Sequence, residues 1–368
     1  MKSTLVTVIV AAWVSLVCGT TFAQTSARGS TSDEAARSAV RSALGFLAKD
    51  TFAWREQRKC AACHHGPMFV WAANVAAANG YAVRPSDVDE VTRWLTTDAR
   101  ARIFPREPAT ANEPPTLSLA TVFVNHALNA ASSDETLAAA GRARVAEHLV
   151  ASQRSDGSWP SPAGRPPFFG NDAIATRLAR LAILESREFE TDHALRRAAE
   201  RARAWLATQP LSDDHQALVL DIWAATRSRG AAVDALMARL RKSQQPDGGW
   251  RQTNDLPSDA FATGQALFAL SRANFDAGDE TIRRAVAFLV RTQHADGTWP
   301  MQSQVDPTTG RPARNLNPIA YAATAWAVLG IASHVDESRA AELDARGDSD
   351  CPIGTCPGET ENAAKSAG

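Results

Sequence analysis

The chain has 368 residues, enough for two ordinary domains or one large one. Hydrophobic residues make up 45% and charged residues 21%, which excludes a wholly disordered chain, a collagen and a multi-span membrane protein. With 39 basic and 40 acidic residues the net charge is −1, so the chain has no electrostatic footprint for nucleic acid.

Lys2, the apolar run Leu5 to Val17 and the small residues up to Ala23 form the three regions of a signal peptide over 1–23. The apolar run is too short to span a bilayer. The mature chain is therefore expected near Gln24, periplasmic or secreted, with no integral membrane segment. Cys18 offers a lipidation site, although Val17 is a poor neighbour for one. Residues 24–32 read as a flexible lead-in.

An outer, solvent-facing helix fits Asp33 to Lys49. The string Cys60-Ala-Ala-Cys63-His64 follows. This spacing is that of c-type haem attachment: each thiol forms a thioether with a haem vinyl group, and His64 binds the iron axially. Export agrees with it, because the attachment takes place outside the bacterial cytoplasm. Zinc held by Cys60, Cys63 and His64 or His65, or a plain Cys60–Cys63 disulfide, are the alternatives. An inner, apolar helix then fits His64 to Ala78, an outer one Asp87 to Thr97, and an inner one Pro115 to Ala131.

Three strings share the form Gln-x-x-Asp-Gly-x-Trp: Gln153, Asp156, Gly157, Trp159; Gln244, Asp247, Gly248, Trp250; and Gln293, Asp296, Gly297, Trp299. Asp-Gly marks a turn in which glycine takes a positive φ, the Gln amide can bond backbone at a helix end, and the Trp covers the turn. Each ends an amphipathic stretch: Glu135 to Gln153, Gly230 to Gln244 and Asp279 to Gln293. Thr191 to Gln209 is an unmarked counterpart. Each such stretch precedes an Ala-rich helix, these beginning at Asp172, Asp214, Asp259 and Asn317, residue types suited to N-caps. Together these make six outer–inner pairs over 33–334. The expectation is an all-α, single (α/α)6 toroid, closed on itself, with an open array as the alternative. Residues 335–368, rich in Gly, Asp, Glu and Pro from Glu342, read as a flexible tail in which Cys351 and Cys356 can pair.

In a closed ring all inner helices start at one rim, which places His64 there. Met68 lies on the same helix face as His64 and cannot reach the opposite face of a haem. The loop Pro300 to Leu316 returns beside the first helix, which makes Met301 the candidate distal ligand. His215 and His126 are further candidates.

The repeats resemble those of squalene–hopene cyclases and protein prenyltransferase β-subunits. That resemblance implies the toroid and a central, often apolar, cavity. It does not carry activity. The cyclases need an Asp-x-Asp-Asp acid, and the nearest strings here are Asp87-Val-Asp89-Glu90 and Asp213-Asp214. The prenyltransferases need a zinc-binding Cys on a later inner helix, where this chain has none. The whole also resembles exported bacterial proteins that join CxxCH to such repeats. The expected function is a toroid carrying one haem c, with a redox role and a periplasmic redox partner. Two alternatives stand. One is a zinc-dependent or metal-free enzyme acting on an apolar or carbohydrate molecule in the cavity, with Asp172, Asp214 and Asp259 as acids. The other is a binding module with a CxxC disulfide. No catalytic residue is otherwise indicated.

Overall fold

The computed structural model describes residues 32–58, 65–98, 117, 119–130, 135–161, 171–210, 212–226, 231–306 and 310–337. Among them, twelve helices alternate between an outer and an inner layer. They are α1 (32–58), α2 (His65–Ala78), α3 (Pro85–Arg93, continued by a π-helical turn at Trp94–Asp98), α4 (Leu119–Asn129), α5 (Glu135–Ala151) and α6 (Asp172–Leu184). The second half holds α7 (His193–Ala207), α8 (His215–Ala225), α9 (Ala231–Lys242), α10 (Ala260–Arg272), α11 (Glu280–Thr292) and α12 (Asn317–Ala332). Two short antiparallel ribbons pair Trp250–Arg251 with Ser258–Asp259, and Val305–Asp306 with Arg311–Pro312.

The even-numbered helices form the inner ring. Each packs on the next, and α12 packs back on α2, so the ring is closed. These helices are apolar on nearly every face, as burial on all sides requires; in α10 and α12 buried residues follow one another without a polar stripe. The α10–α12 contact is a backbone approach. A Cβ on Gly264 would lie 2.4 Å from the Trp326 carbonyl, and one on Gly330 2.8 Å from the Gly264 carbonyl.

The three repeated turns are one device used three times. Each Asp carboxylate accepts from the backbone N–H two residues on, at Ser158, Gly249 and Thr298. Each Gly has φ between +85° and +95°. Each also lies under a carbonyl of the following outer helix, where a Cβ would come within 2.5–2.7 Å of Arg201, Arg284 or Ser42 O. The Gln amide meets a helix end, as expected, only at Gln244, whose partner Thr281 is the second residue of α11. It donates to its own turn and across to the following outer helix, at Ala198, Thr281 and Ala39 O, each 2.9 Å away. The third of these bonds reaches α1, so the last repeat is stitched to the first.

Each Trp is fully buried and donates its indole N–H to the carbonyl of Leu149, Leu240 or Leu289 in the preceding outer helix. Its backbone N–H goes to a Thr hydroxyl on the next inner helix, Thr176, Thr263 or Thr324. One turn thus ties three helices together.

The caps differ from expectation at two of four places. Asp214 and Asp259 do cap, accepting from the N–H of Ala217 and Ala262. For α6 the cap is Asn171, and Asp172 sits inside the helix start, paired with Arg154. Asn317 makes no cap; it is the first residue of α12, with Leu316 in the cap position and Pro318 in the first turn. Helix α1 also runs nine residues past Lys49, because Thr51 bonds the Tyr321 hydroxyl at 2.6 Å and Trp54 stacks on His65.

Candidate functional site

Cys60, Cys63 and His64 lie outside the described residues. Their flanks are fixed: α1 ends at 58 and α2 begins at His65, on the rim where the inner helices start. His65 is completely buried. Its Nε2 lies 3.0 Å from Asp50 Oδ2, and its ring is sandwiched between Trp54 and Tyr321 at centroid distances of 4.1 and 4.0 Å. Burial pulls its pKa down, opposed by the Asp50 carboxylate. The Tyr321 hydroxyl also reaches the carbonyls of Leu47 and His65, so three helices meet at this one group.

Other rim residues have settled partners. His215 Nε2 bonds the Ala262 carbonyl at 2.9 Å, and burial lowers its pKa to about 4. Asp259 is buried; desolvation lifts its carboxyl to about 6, against the bonds from Ala262 N–H and Gln252 Nε2. Met301 is buried in the apolar core. Of the strings compared with Asp-x-Asp-Asp, Asp87 pairs with Arg84 and Glu90 with Arg55 on outer helices, and Asp213 is exposed.

The lumen of the toroid is closed partway down by aromatic rings. Trp71 of α2 stacks on His126 of α4 at 4.7 Å and meets Trp223 of α8, from across the ring, at 5.8 Å. Phe268 of α10 and Trp326 of α12 set their edges against Trp71 at 5.4 and 5.1 Å. A continuous apolar cavity is therefore not what the inner ring encloses. The sequence offers no signal that rings from opposite sides of the toroid meet.

Beyond this plug, where the inner helices end, lies a cavity of about 430 Å³. Trp71, Trp223 and Phe268 line it, with Asn74, His126, Asn129, Glu185, Ser271 and Arg272. Glu185, at the end of α6, accepts from Trp223 Nε1 and from Arg272, each at 3.3 Å. His126 is only 4% exposed, and among the described residues its Nε2 has no hydrogen-bond partner; nor has the buried Nδ2 of Asn74. Desolvation, with a smaller push from Arg272, lowers the His126 pKa to about 3. The imidazole is neutral.

The fold is a single (α/α)6 toroid whose turns carry the thrice-repeated Gln-x-x-Asp-Gly-x-Trp string. Residues 207–347 match the family model of the squalene-hopene cyclase C-terminal domain. The chain is 30% identical over 204 residues to drimenyl diphosphate synthase of Streptomyces showdoensis, a match covering 52% of this chain and 37% of the synthase. It is 33% identical over 103 residues to a probable squalene–hopene cyclase of Sinorhizobium fredii, covering 28% of this chain and 16% of that protein. The chain thus spans well under half the length of either relative. A type II terpene cyclase from Scytonema, solved with geranylgeranyl dihydroxybenzoate, has a TM-score of 0.53 at 13% identity, over 83% of this chain and 99% of its own. That likeness concerns the fold.

Proposed function

We propose that this toroid carries one haem c, attached through Cys60 and Cys63 with His64 on the iron, and serves a redox role outside the cytoplasm. The observation that supports it is the sequestration of His65. Of the two consecutive histidines, one is locked between Trp54 and Tyr321 with its Nε2 on Asp50. His64 is left as the histidine of the motif. Two thiols and one imidazole are the set that haem c uses. The same set is one donor short of the four that a structural zinc requires.

When bound, haem supplies one-electron chemistry at iron. The chain's part is to hold the motif. The Asp50–His65 pair and the Tyr321 hydroxyl anchor the first turn of α2, which directly follows the motif in sequence. Cyclisation, the activity named for the relatives, is not carried over: the chain contains no Asp-x-Asp-Asp string, and its nearest approximations are spent on outer-surface pairs and a cap.

The test is a pyridine haemochrome spectrum of protein exported from a host with cytochrome c maturation machinery, compared with a Cys63→Ala variant. The expected result is a c-type spectrum that the variant lacks. A colourless wild-type protein, exported well and with maturation active, overturns the proposal.

A further inference from the structure

We infer that the end of the toroid opposite the CxxCH rim is a binding site for a neutral, polyhydroxylated ligand of mono- or disaccharide size. This inference does not depend on the haem, which belongs to the other rim.

Four features of the cavity converge on that chemistry. First, its charges cancel: Glu185 and Arg272 pair with each other, and Glu185 is held further by Trp223 Nε1. Second, the cavity sits at the C-terminal ends of the inner helices, Trp71 to Ala78 of α2 and Phe268 to Arg272 of α10 among them. Helix C-termini present carbonyls and the negative end of the helix dipole. They repel anions such as a diphosphate and accept from hydroxyl groups. Third, two polar groups in the lining have no hydrogen-bond partner among the described residues, His126 Nε2 and Asn74 Nδ2. A buried polar atom left unpaired is costly, and a ligand that bonds it recovers that cost. The Asn74 amide is a donor, so an organic cation is disfavoured at the same spot. Fourth, Trp71, Trp223 and Phe268 supply an apolar wall suited to the C–H face of a sugar ring. The volume of about 430 Å³ lies within the range of small-molecule sites.

The experiment is calorimetric titration of the full mature protein with glucose, galactose, xylose, cellobiose and maltose, with geranyl diphosphate and choline as anionic and cationic probes. At least one sugar should bind saturably at one site. Binding should weaken tenfold or more in His126→Phe, which keeps the stacked ring but removes its nitrogen. It should be lost in Ala78→Trp, which blocks the mouth from an exposed position. Circular dichroism of each variant separates loss of site from loss of fold, and Ala78→Trp keeps the test valid if His126→Phe does not fold. The inference is overturned if no sugar binds, if binding survives Ala78→Trp, or if geranyl diphosphate or choline binds there in preference. The haem spectrum is expected to be unchanged in both variants.

Discussion

A single glycine in each repeated turn carries two constraints at once. Gly248 has φ +94°, and its missing Cβ leaves room for the Arg284 carbonyl. Gly310 shares the positive φ, at +64°, but has nothing within 4 Å of its Cβ position. Gly310→Ala should therefore cost about 1 kcal/mol, from the backbone conformation alone. Gly248→Ala should cost about 3 kcal/mol or more, because strain and steric conflict add. Calorimetric melting of the two variants checks this; equal losses would mean that the close approach contributes nothing. The conformational half of this role was legible in the Asp-Gly pairs. The other half was not, because it depends on which helix lies overhead. The same holds for Thr176, Thr263 and Thr324. Their bond to the Trp backbone is a tertiary fact.

At the scale of the element, the bond from Gln293 to Ala39 O does what its two counterparts do, but across the seam where the ring closes. Gln293→Ala should remove that bond, while the Ala39 carbonyl keeps its place in the α1 ladder, and cost about 1 kcal/mol. The loss should be local as well as global. Amide hydrogen exchange should accelerate in α1 and α12 more than in α6 to α8, because opening at the seam does not require the opposite side of the ring to unfold. Uniform acceleration would show that the ring opens only as a whole. A second clasp lies nearby: Tyr81 donates to Val335 O, and Glu337 pairs with Arg41 and bonds Asn79 O. Helix order, type and approximate bounds were readable from apolar periodicity and the repeats. The extension of α1 to residue 58 was not, since the groups that hold it, Tyr321 and His65, are distant or lie beyond the turn.

For the whole molecule, three buried groups lead the response to acid, and His65 and His334, also lowered by burial, act in the same direction as the two histidines among them. His126 and His215 have pKa values lowered to about 3 and about 4, so the unfolded chain binds protons at pH 6.5 and below that the folded protein does not. Each makes stability fall as pH drops, by about 1.4 kcal/mol per pH unit between its two pKa values. Asp259 works in the opposite direction. Its carboxyl is raised to about 6, so between pH 6 and about 4 the folded protein binds a proton that the unfolded chain lacks. Two losses against one gain leave a net fall in stability from these groups as pH drops from 6 to 4. Asp259→Asn should make that fall steeper while leaving the slope above pH 6.5 unchanged. Denaturant unfolding across this range measures both slopes; an unchanged slope in the variant would remove Asp259 from the account.

What the sequence by itself determined is everything periodic or local: six helix pairs, the turns that join them, the order of inner and outer layers, and a CxxCH string between the first two helices. Local chemistry suffices there, because helix faces and tight turns are specified by neighbours within a few residues. Only the tertiary structure decided what fills the ring. Trp71 and Trp223 are 152 positions apart and meet because the ring brings α2 and α8 face to face. That contact closes the lumen, buries His126 with no partner for its Nε2 among the described residues, and leaves a small polar cavity at one end in place of an apolar channel.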